Sequence, residues 1–364
     1  MNHSSDCSIL IPTRNRIVGL IECLKSIERA TKGTYSFEII IQDNSDAPLP
    51  KTILNYFSDK LSIRYYWNET VISMSSNWNL GIKRVLKIGK SKFIVLADRR
   101  LLSKNIYQAL DFANKVSHDF ICFDHQRTWI NSFQVTNFNY TRKPHLLSNL
   151  YLTSHFYRSE CNHTHPMLFN CLLSSNYMQA QMLKYGSYSE GASPDINFLA
   201  RTVNDNIKEY FYLDLPVIIT NARHVALSNG TGISKHESLD SVEHVRLSGH
   251  EVFPIYMKDF ITANVHGSLF RYQSKSATNS KIDVLGFFKT ALQELGFPRH
   301  KASFNRMKDQ LFEFAYEYSL PSDLYELINN ISFLPGSAQT HPICFDDEIW
   351  NTPNLSLLDS VEVY

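Results

Sequence analysis

Polar and charged residues follow several short apolar runs in the first hundred residues, and their types suit an anionic ligand. Pro12-Thr13-Arg14-Asn15 follows the first run, Asp43 the second and Asp98-Arg99-Arg100 the fourth. Arginine offers paired donors that match phosphate oxygens. A carboxylate can accept hydrogen bonds from a pyrimidine N–H or a ribose hydroxyl. Taken alone, the first two stretches are better explained by ordinary turns, such as an Asx-turn at Asp43.

These residues would be positioned by strands that alternate with helices. Apolar runs predict strands at 8–11, 37–41, 63–67 and 93–96, and helical spacing predicts helices at 17–30, 50–60 and 76–89. This alternation predicts a parallel sheet with helices on both faces. Ligands of such sheets lie beyond the carboxyl ends of the strands, which is where all three polar stretches fall.

Two later stretches lie at the starts of predicted helices. Ser76 is the predicted N-cap of a helix that carries Asn77 and Trp78. The competing interpretation of that stretch is a capped helix whose tryptophan only packs in the core. Pro194-Asp195 precedes a helix predicted over 196–204.

The order of these stretches resembles glycosyltransferase family 2, whose members have the GT-A fold and transfer a sugar from a nucleotide donor. The family's P-x-x-N-R-like turn is similar to Ile11–Arg16, and its base-contacting aspartate corresponds to Asp43. Its N-W/F-x-x-G/A-like helix corresponds to 77–81, and its DXD-type acidic cluster begins at Asp98. Pro194-Asp195 resembles a later segment of bacterial surface-polysaccharide enzymes.

The resemblance covers about residues 6–235, including a loop at 228–232. It implies a mixed, Rossmann-like sheet flanked by helices. It also implies a donor site formed by six residues: Pro12, Thr13, Arg14, Asp43, Asn77 and Asp98.

The acidic cluster departs from the family pattern. Members usually carry two or three carboxylates that hold Mn²⁺ or Mg²⁺ against the donor diphosphate, and hard cations need several oxygen ligands. Here the positions after Asp98 are Arg99 and Arg100. Both guanidinium groups could neutralise the leaving phosphate directly, so we expect a weakened or absent metal requirement. The alternative is that Asp98 alone still contacts a metal while the arginines face solvent or pair with acids.

Asp195 is the candidate general base, and Glu190 is the reserve candidate. An acceptor hydroxyl is a weak nucleophile until a positioned carboxylate removes its proton. Asp195 follows Pro194 at a predicted helix N-terminus, where the helix dipole favours the ionised form. A single displacement would invert the anomeric configuration, as the resembled family does. An N-cap aspartate without a catalytic role is the competing interpretation.

Composition predicts a globular protein with no general electrostatic attraction to nucleic acid. The 364 residues are 43% hydrophobic and 20% charged, and 36 Lys and Arg against 35 Asp and Glu give a net charge of +1. The six cysteines include no C-x-x-C pair, as expected for reduced thiols in the cytoplasm. A cluster of His155, His163, His165 and Cys161 matches no standard zinc spacing.

We therefore expect a GT-A domain over 1–240, with a donor half at 1–125 and an acceptor half at 126–240. A mainly helical C-terminal region would occupy 241–364. The expected activity is transfer from a nucleotide-sugar to a glycan or lipid-linked acceptor, in the cytoplasm or at the inner face of the membrane. The alternative is a non-catalytic relative that has lost its acidic cluster and serves as a binding protein.

Overall fold

The computed structural model describes residues 7–31, 35–124, 129–130, 135–136, 140–148, 164–191, 194–205, 207–221, 257, 259–260, 263, 283–295 and 301–333.

The central element is a mixed sheet of eight strands in the order β3-β2-β1-β4-β10-β6-β11-β9. The first four strands in that order are parallel to one another, as the alternation of strands and helices predicted. Strand β10 enters antiparallel between β4 and β6, so the sheet is mixed. The strands are β1 (Cys7–Thr13), β2 (Phe37–Asp43), β3 (Ile63–Trp67), β4 (Lys92–Val95), β6 (Phe120–Phe123), β9 (Pro144–Ser148), β10 (Cys171–Ser174) and β11 (Glu209–Leu213).

A second sheet has the order β5-β12-β7-β8. Its strands are β5 (Arg100–Leu102), β7 (Trp129–Ile130), β8 (Val135–Thr136) and β12 (Ile218–Asn221). Because β5 begins at Arg100, the chain passes from the end of β4 into this sheet within a few residues. Strand β5 pairs antiparallel with β12, which places Arg100 opposite Thr220.

Helices cover both faces of the large sheet, as expected. Side chains alternate along β1, so that Ile9 and Ile11 lie in one buried cluster and Leu10 lies in another. The first cluster includes apolar residues of α1 and α4, and the second includes those of α3, α5 and α6. These helices, with α2, are α1 (Ile17–Ala30), α2 (Lys51–Ser58), α3 (Met74–Ile88), α4 (Ile106–Ala113), α5 (Ser175–Tyr185) and α6 (Pro194–Asn204).

Helix α3 lies very close to the sheet because residue 81 is glycine. A Cβ at Gly81 would stand 2.6 Å from Cδ1 of Leu10 and 3.3 Å from Cβ of Gln42. The helix begins two residues earlier than predicted. Its N-cap is Ser73 rather than Ser76, because the Ser73 hydroxyl accepts a hydrogen bond from the backbone N–H of Ser76. Trp78 is buried in the core beneath the helix, as one interpretation expected.

The C-terminal part has its own apolar core. The sequence predicted a mainly helical region here, and the described residues contain the helices α7 (Val284–Glu294), α8 (Lys301–Glu317) and α9 (Ser322–Asn330). They share a buried cluster that includes Phe287, Met307 and Phe314. Within the described residues, no helix combines the length and the apolar character needed to cross a membrane. The boundary predicted at residue 240 lies outside the described residues and stays a prediction.

Candidate functional site

The carboxyl ends of β1, β2 and β4 meet at one edge of the large sheet. Thr13 pairs with Asp43 in the strand register, and the backbone N–H of Asn44 donates to the carbonyl of Thr13 at 2.9 Å. The Thr13 hydroxyl donates to Oδ2 of Asp98 at 2.8 Å. Three polar stretches that are 30 to 85 residues apart in the sequence are thus adjacent. Pro12 lies within β1 and is buried, and Arg14 directly follows that strand and is half-buried.

Asp98 is buried and bonded through both carboxylate oxygens. Oδ2 accepts from Thr13, and Oδ1 lies 3.2 Å from Nη1 of Arg16, which forms an ion pair with it. The Asp98 side chain is 4% exposed, whereas that of Arg16 is 22% exposed. Arg16 stands immediately before α1, so the first turn of the chain after β1 folds back over the end of β4.

These residues do not fit the divalent cation that the resemblance implies. A hard cation takes several oxygen ligands, but here a single carboxylate is paired with a guanidinium group and hydrogen-bonded to a hydroxyl. Among the described residues, no group of three or more His, Cys, Asp or Glu side chains could hold a metal ion. His165 is buried, whereas Cys161, His155 and His163 lie outside the described residues.

Positive charge surrounds Asp98. The pKa of Arg99 is lowered to about 10, first by burial and then by the charge of Arg16, while the charges of Asp195 and Asp98 partly oppose that shift. The pKa of Arg100 is lowered by burial and then by the charge of Arg99. Arg99 is half-buried and Arg100 is 5% exposed. Both arginines remain cations at neutral pH.

Arg100 points into the protein. Its guanidinium lies 4.5 Å from the ring centroid of Phe169, and Nη1 donates to Oγ1 of Thr220 on the paired strand β12. This placement differs from that of Arg99, whose side chain keeps contact with solvent.

Asp195 lies in the first turn of α6 and is electrostatically coupled to both arginines. Burial raises the pKa of its carboxyl group, and the backbone N–H groups of Ile196 and Asp195 oppose that rise, followed by the charges of Arg99 and Arg100. The net result is a raised pKa. The structure therefore brings the candidate base to the arginines after β4, although 96 residues separate Asp195 from Arg99.

Asp43 closes its own turn, as the Asx-turn interpretation expected. Oδ1 accepts from the backbone N–H of Ser45 at 2.9 Å, and Oδ2 accepts from the Tyr65 hydroxyl at 2.8 Å. Asn77 ties α3 to the sheet, because Nδ2 donates to the carbonyl of Gln42 at 3.2 Å and Oδ1 accepts from Asn68 at 2.9 Å. Contact of either side chain with a donor stays a prediction.

Helix α3 also holds the loop that precedes Asp195. Oδ1 of Asn79 accepts from the backbone N–H groups of Tyr188 at 3.0 Å and Ser189 at 2.9 Å, and Nδ2 donates to the carbonyl of Ser189 at 2.8 Å. The Ser75 hydroxyl donates to the carbonyl of Gly191. These bonds connect the segment before Asp195 to the helix that lies on β1 and β2.

The reserve candidate Glu190 is engaged in the same loop. Oε1 accepts from the Ser187 hydroxyl at 2.9 Å and lies 3.3 Å from Nη2 of Arg201. Arg201 is fully buried and also donates to the carbonyl of Ser187 at 2.7 Å. Glu190 is thus bonded within its own loop, whereas Asp195 lies near the arginines that follow β4.

Sequence reasoning missed Arg16, Asn79 and Arg201. Arg16 and Asn79 belong to stretches that it selected, but only their partners, Asp98 and Ser189, show what the side chains do. Arg201 lies in the middle of a predicted helix and carried no signal. The loop predicted at 228–232 lies outside the described residues.

Comparison with known proteins supports the resemblance. Residues 8–128, one third of the chain, match the model of Glycosyl transferase family 2, which confirms the resemblance inferred from the order of the motifs. No curated protein matches the chain. A solved structure of S. aureus TarS 1-349 in complex with UDP-GlcNAc is 14% identical over 87% of this chain and 93% of that chain, with a TM-score of 0.49. TarS 1-349 in complex with UDP is 13% identical over 89% and 86%, with a TM-score of 0.46.

Proposed function

We propose that the chain is a glycosyltransferase, because residues 8–128 match the model of Glycosyl transferase family 2. It would move a sugar from a nucleotide-sugar donor to a hydroxyl group of a glycan or lipid-linked acceptor. The observation that supports this activity best is the coupling of Asp195 to Arg99 and Arg100 beyond the end of β4. That arrangement offers a proton acceptor and phosphate-binding cations in one place.

In the proposed reaction, the acceptor oxygen forms a bond to the anomeric carbon of the donor sugar. The bond from that carbon to the phosphate oxygen breaks, and its electron pair leaves with the phosphate. Asp195 takes the acceptor's proton, and its raised pKa makes it a stronger base than an ordinary surface aspartate. Arg99 would stabilise the leaving phosphate. Arg100 is buried and would contribute its positive charge to that stabilisation from within the protein. A single displacement of this kind inverts the anomeric configuration.

Donor contacts are proposed for the residues at the sheet edge. Thr13, Arg14 and Asp43 lie at the ends of β1 and β2, and Asp98 lies directly beside them. Asn77 is close to this edge through its bond to the carbonyl of Gln42. The acceptor class, a role in surface-polysaccharide assembly and a location at the inner face of a bacterial membrane belong to the same proposal and rest on the sequence resemblance.

Turnover with a panel of UDP-, GDP-, dTDP- and CMP-sugars tests the activity, and NMR of the product tests inversion. Asp195→Asn should lower kcat by about 10²–10⁴-fold, the usual contribution of a general base. Asp323→Asn is a matched control, because Asp323 also lies in the first turn of a helix, α9. Near-wild-type turnover of a folded Asp195→Asn variant would rule out its role as the base.

A non-catalytic nucleotide-binding protein is the second candidate. The pairing of Asp98 with Thr13 and Arg16 supports it, because the carboxylate expected to hold a metal has other partners. Binding of a nucleotide without hydrolysis or transfer of any nucleotide-sugar, with or without Mn²⁺, would favour this candidate over the enzyme.

A further inference from the structure

We propose that Arg16, held in place by Asp98, binds the donor's phosphates in the position where related sites use a divalent cation. Asp98 would then be a positioning residue rather than a metal ligand. This inference rests on the proposed function and adds to it a residue and a role for the altered acidic cluster.

The first support is that the Asp98 carboxylate already has a cationic partner. Its two oxygens bond to the Thr13 hydroxyl at 2.8 Å and to Nη1 of Arg16 at 3.2 Å. A buried carboxylate is costly unless its charge is paired and hydrogen-bonded. Arg16 meets that need with a side chain, so the fold requires no external cation at this point.

The second support is the geometry of Arg16 itself. A guanidinium group has five N–H donors, and among the described residues one of them, on Nη1, bonds to Asp98. The side chain is 22% exposed while its partner is 4% exposed. The group is therefore fixed on the protein side and open on the solvent side, as a phosphate-binding arginine must be.

The third support is the excess of positive charge. Arg16 and Arg99 lie close enough to repel each other, which contributes to the lowered pKa of Arg99. Asp98 supplies one negative charge against these two cations, so the three side chains together carry +1. A bound phosphate would relieve the repulsion and bring both guanidinium groups into charge-assisted bonds. Asp195, the next carboxylate, is the proposed proton acceptor.

The test is titration calorimetry on the full chain in excess EDTA. UDP, GDP, dTDP and CMP are titrated first. The nucleoside that corresponds to the nucleotide that binds is then titrated in the same buffer. Arg16→Ala should weaken nucleotide binding by about 10- to 100-fold, the effect of one charge-assisted bond. Its affinity for the nucleoside should not change. Arg16→Lys should recover part of the loss. Asp98→Asn should weaken the binding of the nucleotide and leave the binding of the nucleoside unchanged. Mn²⁺ should increase the nucleotide affinity of the wild type only slightly.

Arg64→Ala is the matched control. Arg64 also forms an arginine–carboxylate pair, with Glu38. This pair lies at the amino ends of β3 and β2, away from the carboxyl ends that form the candidate site. Loss of Arg64 should therefore leave nucleotide affinity unchanged. A general structural defect would weaken nucleoside and nucleotide together, so the comparison separates damage from lost phosphate contact.

Two results would overturn the inference while leaving the glycosyltransferase proposal intact. One is nucleotide binding by Arg16→Ala that equals the wild type. The other is binding that EDTA abolishes and Mn²⁺ restores. If the wild type binds no nucleotide in either buffer and turns over no donor, the proposed function fails as well.

Discussion

Replacing Asn79 with alanine should loosen the loop that carries Asp195. Asn79 makes three hydrogen bonds to the backbone of Tyr188 and Ser189. Each such bond contributes about 0.5–1.5 kcal/mol, and water can replace part of it because the side chain is half-buried. We therefore expect the free energy of unfolding to fall by about 2 kcal/mol. In a chain of this size that lowers Tm by about 3 °C.

The effect on catalysis should exceed the effect on donor binding. A displacement of about 1 Å in a reacting group can cost about 100-fold in rate, so kcat of Asn79→Ala should fall by about 10- to 100-fold. Nucleotide affinity should stay the same, because Arg16 and Arg99 are placed by β1 and β4 rather than by this loop. Thermal melts, steady-state kinetics and nucleotide titration measure the three quantities.

Two further variants sharpen the test. Asn79→Asp keeps an acceptor for the two backbone N–H groups and loses only the donor to the carbonyl of Ser189, so its defects should be smaller than those of Asn79→Ala. Lys83→Ala, at an exposed position of the same helix, should behave as the wild type. If Asn79→Ala is destabilised but turns over normally, the loop does not position the base and the reasoning is wrong.

The remaining predictions concern Asp195 and Gly81. Because the base must be ionised, kcat/KM should fall as pH drops through the raised pKa of Asp195. Arg99→Gln removes a charge that lowers this pKa and should move the fall to higher pH; identical pH–rate profiles would contradict the coupling. The raised pKa also means that charged Asp195 destabilises the fold above that pKa, so Asp195→Asn should melt above the wild type at pH 7. That difference should shrink as pH falls towards the unfolded pKa of about 3.9, and a lower melting temperature at pH 7 would refute this. Gly81→Ala would put a Cβ 2.6 Å from Leu10 and should reduce unfolding free energy by about 1–3 kcal/mol, as measured by denaturant titration; an unchanged midpoint would contradict the close packing of α3.

Local pattern was sufficient to predict the elements of the donor half. The runs at 37–41 and 63–67 are the strands β2 and β3, and the helix predicted over 17–30 has those bounds in the structure. Each of these assignments depends on side-chain periodicity over a few neighbouring residues. The strand at 171–174 was missed, because its short apolar run pairs antiparallel with strands on both sides and has no local signal of that pairing.

The types of the site residues and the order of their stretches could likewise be read from the sequence. The polar ends of β1, β2 and β4, the arginines after Asp98 and the aspartate after Pro194 were all selected there. The sequence by itself thus determined which groups could carry charge, donate to a phosphate or take a proton, because these are properties of the residue types.

Only the tertiary structure decided which of those groups are partners. Asp98 is bonded to Thr13 and Arg16, from 85 and 82 positions away, and Asn79 to backbone atoms 109 and 110 positions away. Such pairs depend on the packing of the strands and on the close approach of α3 that Gly81 permits. Hydrogen bonds act over about 3 Å, so no periodicity along the chain specifies them. They decide whether a carboxylate is a metal ligand, a base or the anchor of an arginine.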